Sequence, residues 1–218
     1  VKKLFTLGLT LALVLGLASV SMAGTLSLDV IGAGDVDWDN YSEDFSQIAV
    51  GLDIPVNEFK LSCDLSTGTV ESNGYDYDTT GILLKGGYNV INERQLRLDL
   101  TAGFYDRKIN WDYYWDEPTN TTSYYSFIVG FDAKLKLDRK AWVDFKYSYG
   151  ISPHCDNEDW GETYSYSVDS LSIFDCKFNL LLNPEFGVSL GYHNEIIDYE
   201  YLDHETFSGV TIGAFFRF

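Results

Sequence analysis

Proline is scarce in this chain, with 4 in 218 residues, and cysteine scarcer still at 3. Few prolines leave almost every backbone N–H free to join a ladder, which suits long strands. Three cysteines allow at most one disulfide among Cys63, Cys155 and Cys176, and no C-x-x-C or zinc spacing is present. They carry no redox or metal role on this reading. Basic residues are outnumbered 15 to 33, giving a net charge of −18. That balance excludes a nucleic-acid binder, because phosphates need Lys and Arg. Beyond residue 23 no run approaches the ~18 apolar residues of a spanning helix.

What is present begins with a targeting pattern. Lys2 and Lys3 precede an apolar stretch from Leu4 to Val20, and Ser21-Met22-Ala23 supplies a small-x-small cleavage site. Residues 1–23 are therefore expected to be removed on export, leaving Gly24–Phe218 as one domain. No cysteine follows the cleavage site, so lipid attachment there is not expected. Aromatics reach 16% of the chain, with 16 tyrosines, a composition that favours strands.

Hydrophobic periodicity supports this. Period-two segments are predicted near 25–36, 46–54, 59–70, 79–90, 96–109, 123–137, 141–151, 163–181, 186–198 and 206–218. In the fifth, Leu96, Leu98, Leu100, Ala102 and Phe104 alternate with Arg97, Asp99, Thr101, Gly103 and Tyr105. In the eighth, Leu171 and Ile173 break the parity of Tyr164, Tyr166, Val168, Phe174 and Cys176, which predicts a bulge. Connections alternate between short turns at 55–58, 91–95, 138–140 and 182–185 and longer loops at 37–45, 71–78, 110–122, 152–162 and 199–205. The fold class is all-β: an up-and-down antiparallel transmembrane barrel of about ten strands, or eight if the first and eighth segments are misread.

The polar face decides between a membrane barrel and a soluble one. It holds Asp29, Asp53, Asp64, Asp99, Asp132, Asp144, Asp169 and Asp175, matched by Lys60, Lys85, Arg97, Lys134, Lys136, Lys146, Lys177 and Arg217. Such a balanced set can pair inside a lumen without stranding a charge. The apolar face is aliphatic with aromatics toward its ends (Phe59, Tyr88, Phe104, Tyr147, Tyr149, Phe186, Phe218), as a lipid-facing band with interfacial girdles would be. The five longer loops with their flanks, residues 35–44, 71–78, 106–117, 154–162 and 198–205, together carry a charge equal to the whole −18. A narrow lumen beneath such loops predicts either a filled, structural barrel or a narrow cation-preferring channel. Surface adhesion through the acidic, aromatic loops is the alternative.

The end of the chain, TFSGVTIGAFFRF, places Phe216 and Phe218 on one face and Arg217 on the other. It resembles the C-terminal signature of bacterial outer-membrane β-barrel proteins, a final amphipathic strand ending in Phe. That resemblance implies recognition by the barrel-assembly machinery and residence among outer-membrane lipid. In general plan the whole mature chain resembles the small opacity-protein and OmpX-like barrels.

Candidate chemistry is sparse. Asp35-x-Asp37-x-Asp39 resembles the opening of a calcium loop, but Asn40 stands where the EF-hand glycine belongs and Ser46 where its glutamate belongs. Loose divalent-cation binding is what remains of that pattern. Ten strands with acidic rims also resemble the omptin surface proteases, which implies an Asp pair opposite an Asp-His pair. Asp76 and Asp78, or Asp35 and Asp37, could supply the first pair and Asp203 with His204 the second, although the adjacent Asp-His spacing departs from that family. No catalytic residue, cofactor or resident metal is expected.

Overall fold

The computed structural model describes residues 24–38, 41–72, 75–111, 120–159, 162–200 and 204–218. Its strands run in order: β1 (Thr25–Trp38), β2 (Tyr41–Val56), β3 (Phe59–Ser72), β4 (Tyr75–Asn92), β5 (Leu96–Trp111), β6 (Asn120–Lys136), β7 (Ala141–Asp159), β8 (Glu162–Leu181), β9 (Phe186–Tyr199) and β10 (Glu205–Arg217). Each pairs antiparallel with its chain neighbours, and β1 also pairs with β10, so the sheet closes on itself. The strand count is ten, not eight. Among the described residues there is no helix.

Closure is made by the two ends of the described chain. Leu26 lies opposite Phe216 and Thr25 opposite Arg217. Beyond them Gly24 donates to the Phe218 carbonyl at 2.9 Å, and Phe218 donates back at 3.1 Å. The Phe218 ring lies so near Gly24 that a Cβ there would sit 2.6 Å from it. The short turns lie at this same end. Asn57 takes φ 57°, the left-handed conformation that lets the hairpin between β2 and β3 reverse over two residues. Asn183 accepts from the N–H groups of Glu185 and Phe186, and Asp138 from those of Lys140 and Ala141, side chains standing in for a backbone turn. Those two bonds favour the charged Asp138 carboxylate and hold it below its ordinary pKa.

The strands run 13 to 20 residues, well past the ~9–11 needed to cross a bilayer. The surplus lies at the loop end. β2 starts at Tyr41 rather than 46, β4 at Tyr75 rather than 79, and β7 runs on to Asp159 rather than 151. Those segments read as loops because they are polar, yet most of their polarity falls on one face.

That face is the outer one. On β2 the outward residues change from Ser42, Asp44 and Ser46 to Ile48, Val50, Leu52 and Ile54, while inward Phe45 gives way to Gln47, Gly51 and Asp53. β5 does the same, outward from Leu98, Leu100 and Phe104 to Asp106 and Lys108, inward from Arg97 and Asp99 to Ile109. The lower half is apolar outside and charged inside; the upper half is polar outside and apolar inside. Aromatic pairs mark both edges of the exposed belt, Phe59 with Tyr88 below and Phe104 with Phe127 above.

Bulges help three strands make the exchange. Pairing of β1 shifts between Ile31 and Gly34, so Ile31 and Val36, of opposite parity, both point inward. In β7 Ser152 takes φ 51° where the register with β6 slips between Tyr125 and Phe127. The expected bulge in β8 lies between Val168 and Ser170. It also corrects the facing of the preceding residues: Val168 is buried inside the barrel, not on the outer band with Phe174 and Cys176.

Candidate functional site

The lumen is the only place in the described chain where polar chemistry is concentrated under burial, and it is stacked in layers. Its middle is a ladder of ion pairs set by inward positions of β1 to β9. Lys85 donates to Asp132 at 2.8 Å, with the two side chains only 1% and 6% exposed, and Lys60 donates to the other oxygen of Asp132. Lys177 meets Asp29 at 2.9 Å, and Lys146 lies 3.8 Å from Asp53, which also accepts from Ser62. Arg97 donates through Nε to both oxygens of Asp99, at 3.0 and 3.1 Å. His193 Nδ1 bonds to Asp175 at 2.8 Å. Burial of an unpaired charge costs several kcal/mol, so mutual pairing is what permits this many ions in so narrow a space.

Above the ladder two buried polar clusters are embedded in apolar side chains. Arg107 meets Glu195 and Gln47 at 3.1 Å each, while Tyr105 donates to Glu195. The Arg107 guanidinium stacks over Phe207 with its carbon 4.4 Å from the ring centre. Tyr124 and Tyr199 both donate to Glu205, at 2.9 and 3.0 Å. Around them Val36, Phe45, Val70, Ile109, Ile128, Leu171, Ile197 and Phe207 form one buried cluster, drawn from nearly every strand. This layer fills the lumen at the loop end. Two small cavities of about 80 and 60 Å³ adjoin the ion pairs between this layer and the opposite mouth.

The short-turn mouth is different. Trp142, Leu181 and Phe215 form a second apolar cluster there, with the Trp142 and Phe215 rings 5.2 Å apart. Trp142 Nε1 donates to Asp144 at 2.8 Å, and Asn179 donates to the same oxygen at 2.9 Å. An open cavity of about 530 Å³ lies beside this cluster, lined by Lys60, Lys134, Lys146, Asp99, Asp144 and Arg217 among others.

Of the lumenal charges expected from sequence, Lys85, Asp99 and Asp132 are buried and Arg97, Lys134, Asp144, Lys146 and Lys177 half-buried, all within ion-pairing distance of a partner. Asp64 faces inward at the cavity of about 80 Å³, beside Gly51. Asp169 does not join them: it sits exposed at the β8 bulge, where the parity change turns it outward. Arg217 lies at the mouth, over Trp142. Phe216 is exposed on the outer belt. The buried pair Arg107–Glu195 and the acid Glu205 were missed by sequence reasoning. Glu205 lies in the stretch 199–205 that reads as a loop, while Arg107 and Glu195 fall inside the predicted segments 96–109 and 186–198 but were not counted among the lumenal charges.

Asp35 and Asp37 lie on the outer face of β1, with Val36 inward between them, and Asp39 lies outside the described residues. Asp203 and the side chain of Asp76 also lie outside them; Asp78 is on the outer face of β4 and His204 is exposed just before β10. Among the described residues no group of three or more His, Cys, Asp or Glu is placed to hold a metal. The three cysteines are unpaired, Cys155 within the apolar layer and Cys63 and Cys176 on the outer face.

No family model matches the chain, and no curated protein does. Solved structures do. The outer-membrane protease OmpT of Escherichia coli superposes with a TM-score of 0.54 at 10% identity, over 90% of this chain and 94% of that one. The fold is shared with that barrel. Neisserial surface protein A (10% identity, TM-score 0.45) and Ail, the attachment invasion locus protein of Yersinia pestis (14%, 0.45), each match over 90% of this chain and 99% of theirs. At such identity the likeness is one of architecture alone.

Proposed function

We propose that the chain is an integral outer-membrane barrel of structural, non-conducting type that carries a hydrophobically cored stalk above the membrane and so presents its loops at the cell surface. The observation that carries the reading is the exchange of faces half-way along the strands. The lower half has the exterior of a lipid-embedded barrel, and the upper half has the polar exterior and apolar interior of a barrel in water. The short turns and both ends of the described chain then lie on the periplasmic side, with outer-membrane lipid around the belt and the barrel-assembly machinery as the transient partner that inserts it.

The apolar layer favours a closed lumen over a cation-preferring channel, since ions crossing it would shed their hydration among buried apolar side chains and polar groups already bonded to one another. The expected measurement is silence in planar bilayers after insertion of the detergent-folded protein, checked for folding by heat-modifiable gel migration. Steady, cation-selective conductance steps from a folded sample would overturn the closed reading. Surface adhesion is a second reading, favoured by the acidic outer wall of the stalk, where Asp35, Asp37, Asp44, Glu71 and Asp106 all point away from the lumen.

A further inference from the structure

We propose that the short-turn mouth is a binding site for a phosphate group, held by Arg94, Lys134, Lys136, Arg139 and Arg217 around the indole of Trp142. These residues line one cavity of about 730 Å³, whose single acid is Asp138. Five of the chain's 15 basic residues thus meet in one hollow of a protein whose net charge is −18. Elsewhere in the lumen each buried cation faces a carboxylate. At this mouth the cations are exposed or half-buried and gathered without matching acids. Among the described residues Arg94, Lys136, Arg139 and Arg217 have no ion-pair partner, and Lys134 reaches Asp144 only at 3.7 Å. Asp138 spends its Oδ1 on the backbone N–H groups of Lys140 and Ala141, at 2.6 and 2.7 Å.

Two of the cations converge further. Lys134 Nζ lies 5.1 Å and the Arg217 guanidinium carbon 5.0 Å from the centre of the same Trp142 ring. Trp142 is 7% exposed and held by Asp144 and Phe215, so both cations rest on one fixed indole. An anion bound in the hollow beside them would offset their like charge. Several cations around one point, including guanidinium forks, suit the three oxygens of a phosphate better than a lone carboxylate, and the cavity falls within the ~300–1,000 Å³ of ordinary ligand sites. Leu137 lines the same hollow and is 54% exposed, so a phosphate esterified to an acyl-bearing glycerol could seat its head here and lay its chains on the belt. Free phosphate compounds share the head-group chemistry.

The test uses the full chain folded in neutral detergent and in nanodiscs, with the double variant K136Q/R139Q, whose positions are exposed, and the charge-preserving K136R/R139K. Inorganic pyrophosphate is titrated calorimetrically, and retention of phosphatidylglycerol against phosphatidylcholine is counted by native mass spectrometry. Saturable pyrophosphate binding, weakened tenfold or more in K136Q/R139Q and kept in K136R/R139K, supports the site with a soluble anion as occupant. Selective phosphatidylglycerol retention with the same variant pattern, and no pyrophosphate binding, supports a lipid head group. Equal behaviour of wild type and K136Q/R139Q toward both probes, with both shown folded by heat-modifiable migration, overturns the proposal. The outcome does not depend on whether the lumen conducts, so it fails or stands apart from the closed-barrel reading.

Discussion

Truncating Phe207 to Ala probes the apolar layer directly. The ring is fully buried, meets Phe45 edge-on at 5.5 Å and carries the Arg107 guanidinium 4.4 Å from its centre. A buried Phe→Ala change costs about 3–5 kcal/mol through lost transfer energy and the cavity left behind. The Arg107 contact, worth about 2 kcal/mol when desolvated, puts F207A in the upper part of that range. The matched control is F127A on the outer belt, 71% exposed. Lipid or detergent refills that gap, so only the aromatic pair with Phe104 at 6.0 Å is lost, about 1 kcal/mol. Urea titration of the detergent-folded barrel reads both as shifts in midpoint at unchanged slope. Equal losses for the two variants, or a larger loss for F127A, would refute an apolar core in the stalk.

Asp132→Ala strands Lys85 and Lys60 in the ladder, and breaking such a buried pair is expected to cost about 3–5 kcal/mol in the same titration, with part recovered when Asp132→Leu is combined with Lys85→Met. Gly103→Ala places a Cβ 1.9 Å from the Leu84 carbonyl oxygen, so the backbone must give way at about 1–3 kcal/mol, whereas Gly86→Ala, with nothing nearer than 3.9 Å, stays within about 0.5 kcal/mol of neutral. Deleting Phe218 removes one rung of the closing pair with Gly24; it is expected to lower the amount reaching the outer membrane far more than the urea midpoint, and unchanged membrane levels would count against an assembly role. Because the Asp138 carboxyl is held below its ordinary pKa in the fold, its contribution is present above the unfolded value of about 3.9 and lost as pH falls through the folded one. D138A should therefore flatten the acid limb of the melting-temperature profile; parallel limbs for variant and wild type would remove that contribution.

The strand count, the meander, the closing pair and the facing of the belt were all legible in the sequence, because period two persists wherever lipid demands an unbroken apolar row. Leu98, Leu100 and Phe104 announce β5 without ambiguity. What sequence reasoning lost is the stalk: the predicted segment 96–109 reaches into it, but above Phe104 the outward row becomes Asp106 and Lys108, so polar no longer means inward. The compensating inward row, Tyr105, Arg107 and Ile109, is visible only if the alternation is carried past the point where its meaning reverses. The mouth was hidden for another reason. Arg94, Lys136, Arg139 and Arg217 come from separate turns and strands, and only closure of the barrel brings them to one hollow.

The exchange of faces also acts as a depth gauge. Sinking the barrel by a single residue step, about 3.3 Å along a strand, would drag Ser46, Asp106 and Ser208 toward the hydrocarbon, while raising it by the same step would lift Ile48, Phe104 and Val210 into water. Both displacements are opposed at once on all sides of the cylinder, so its height relative to the bilayer is written into the strands themselves.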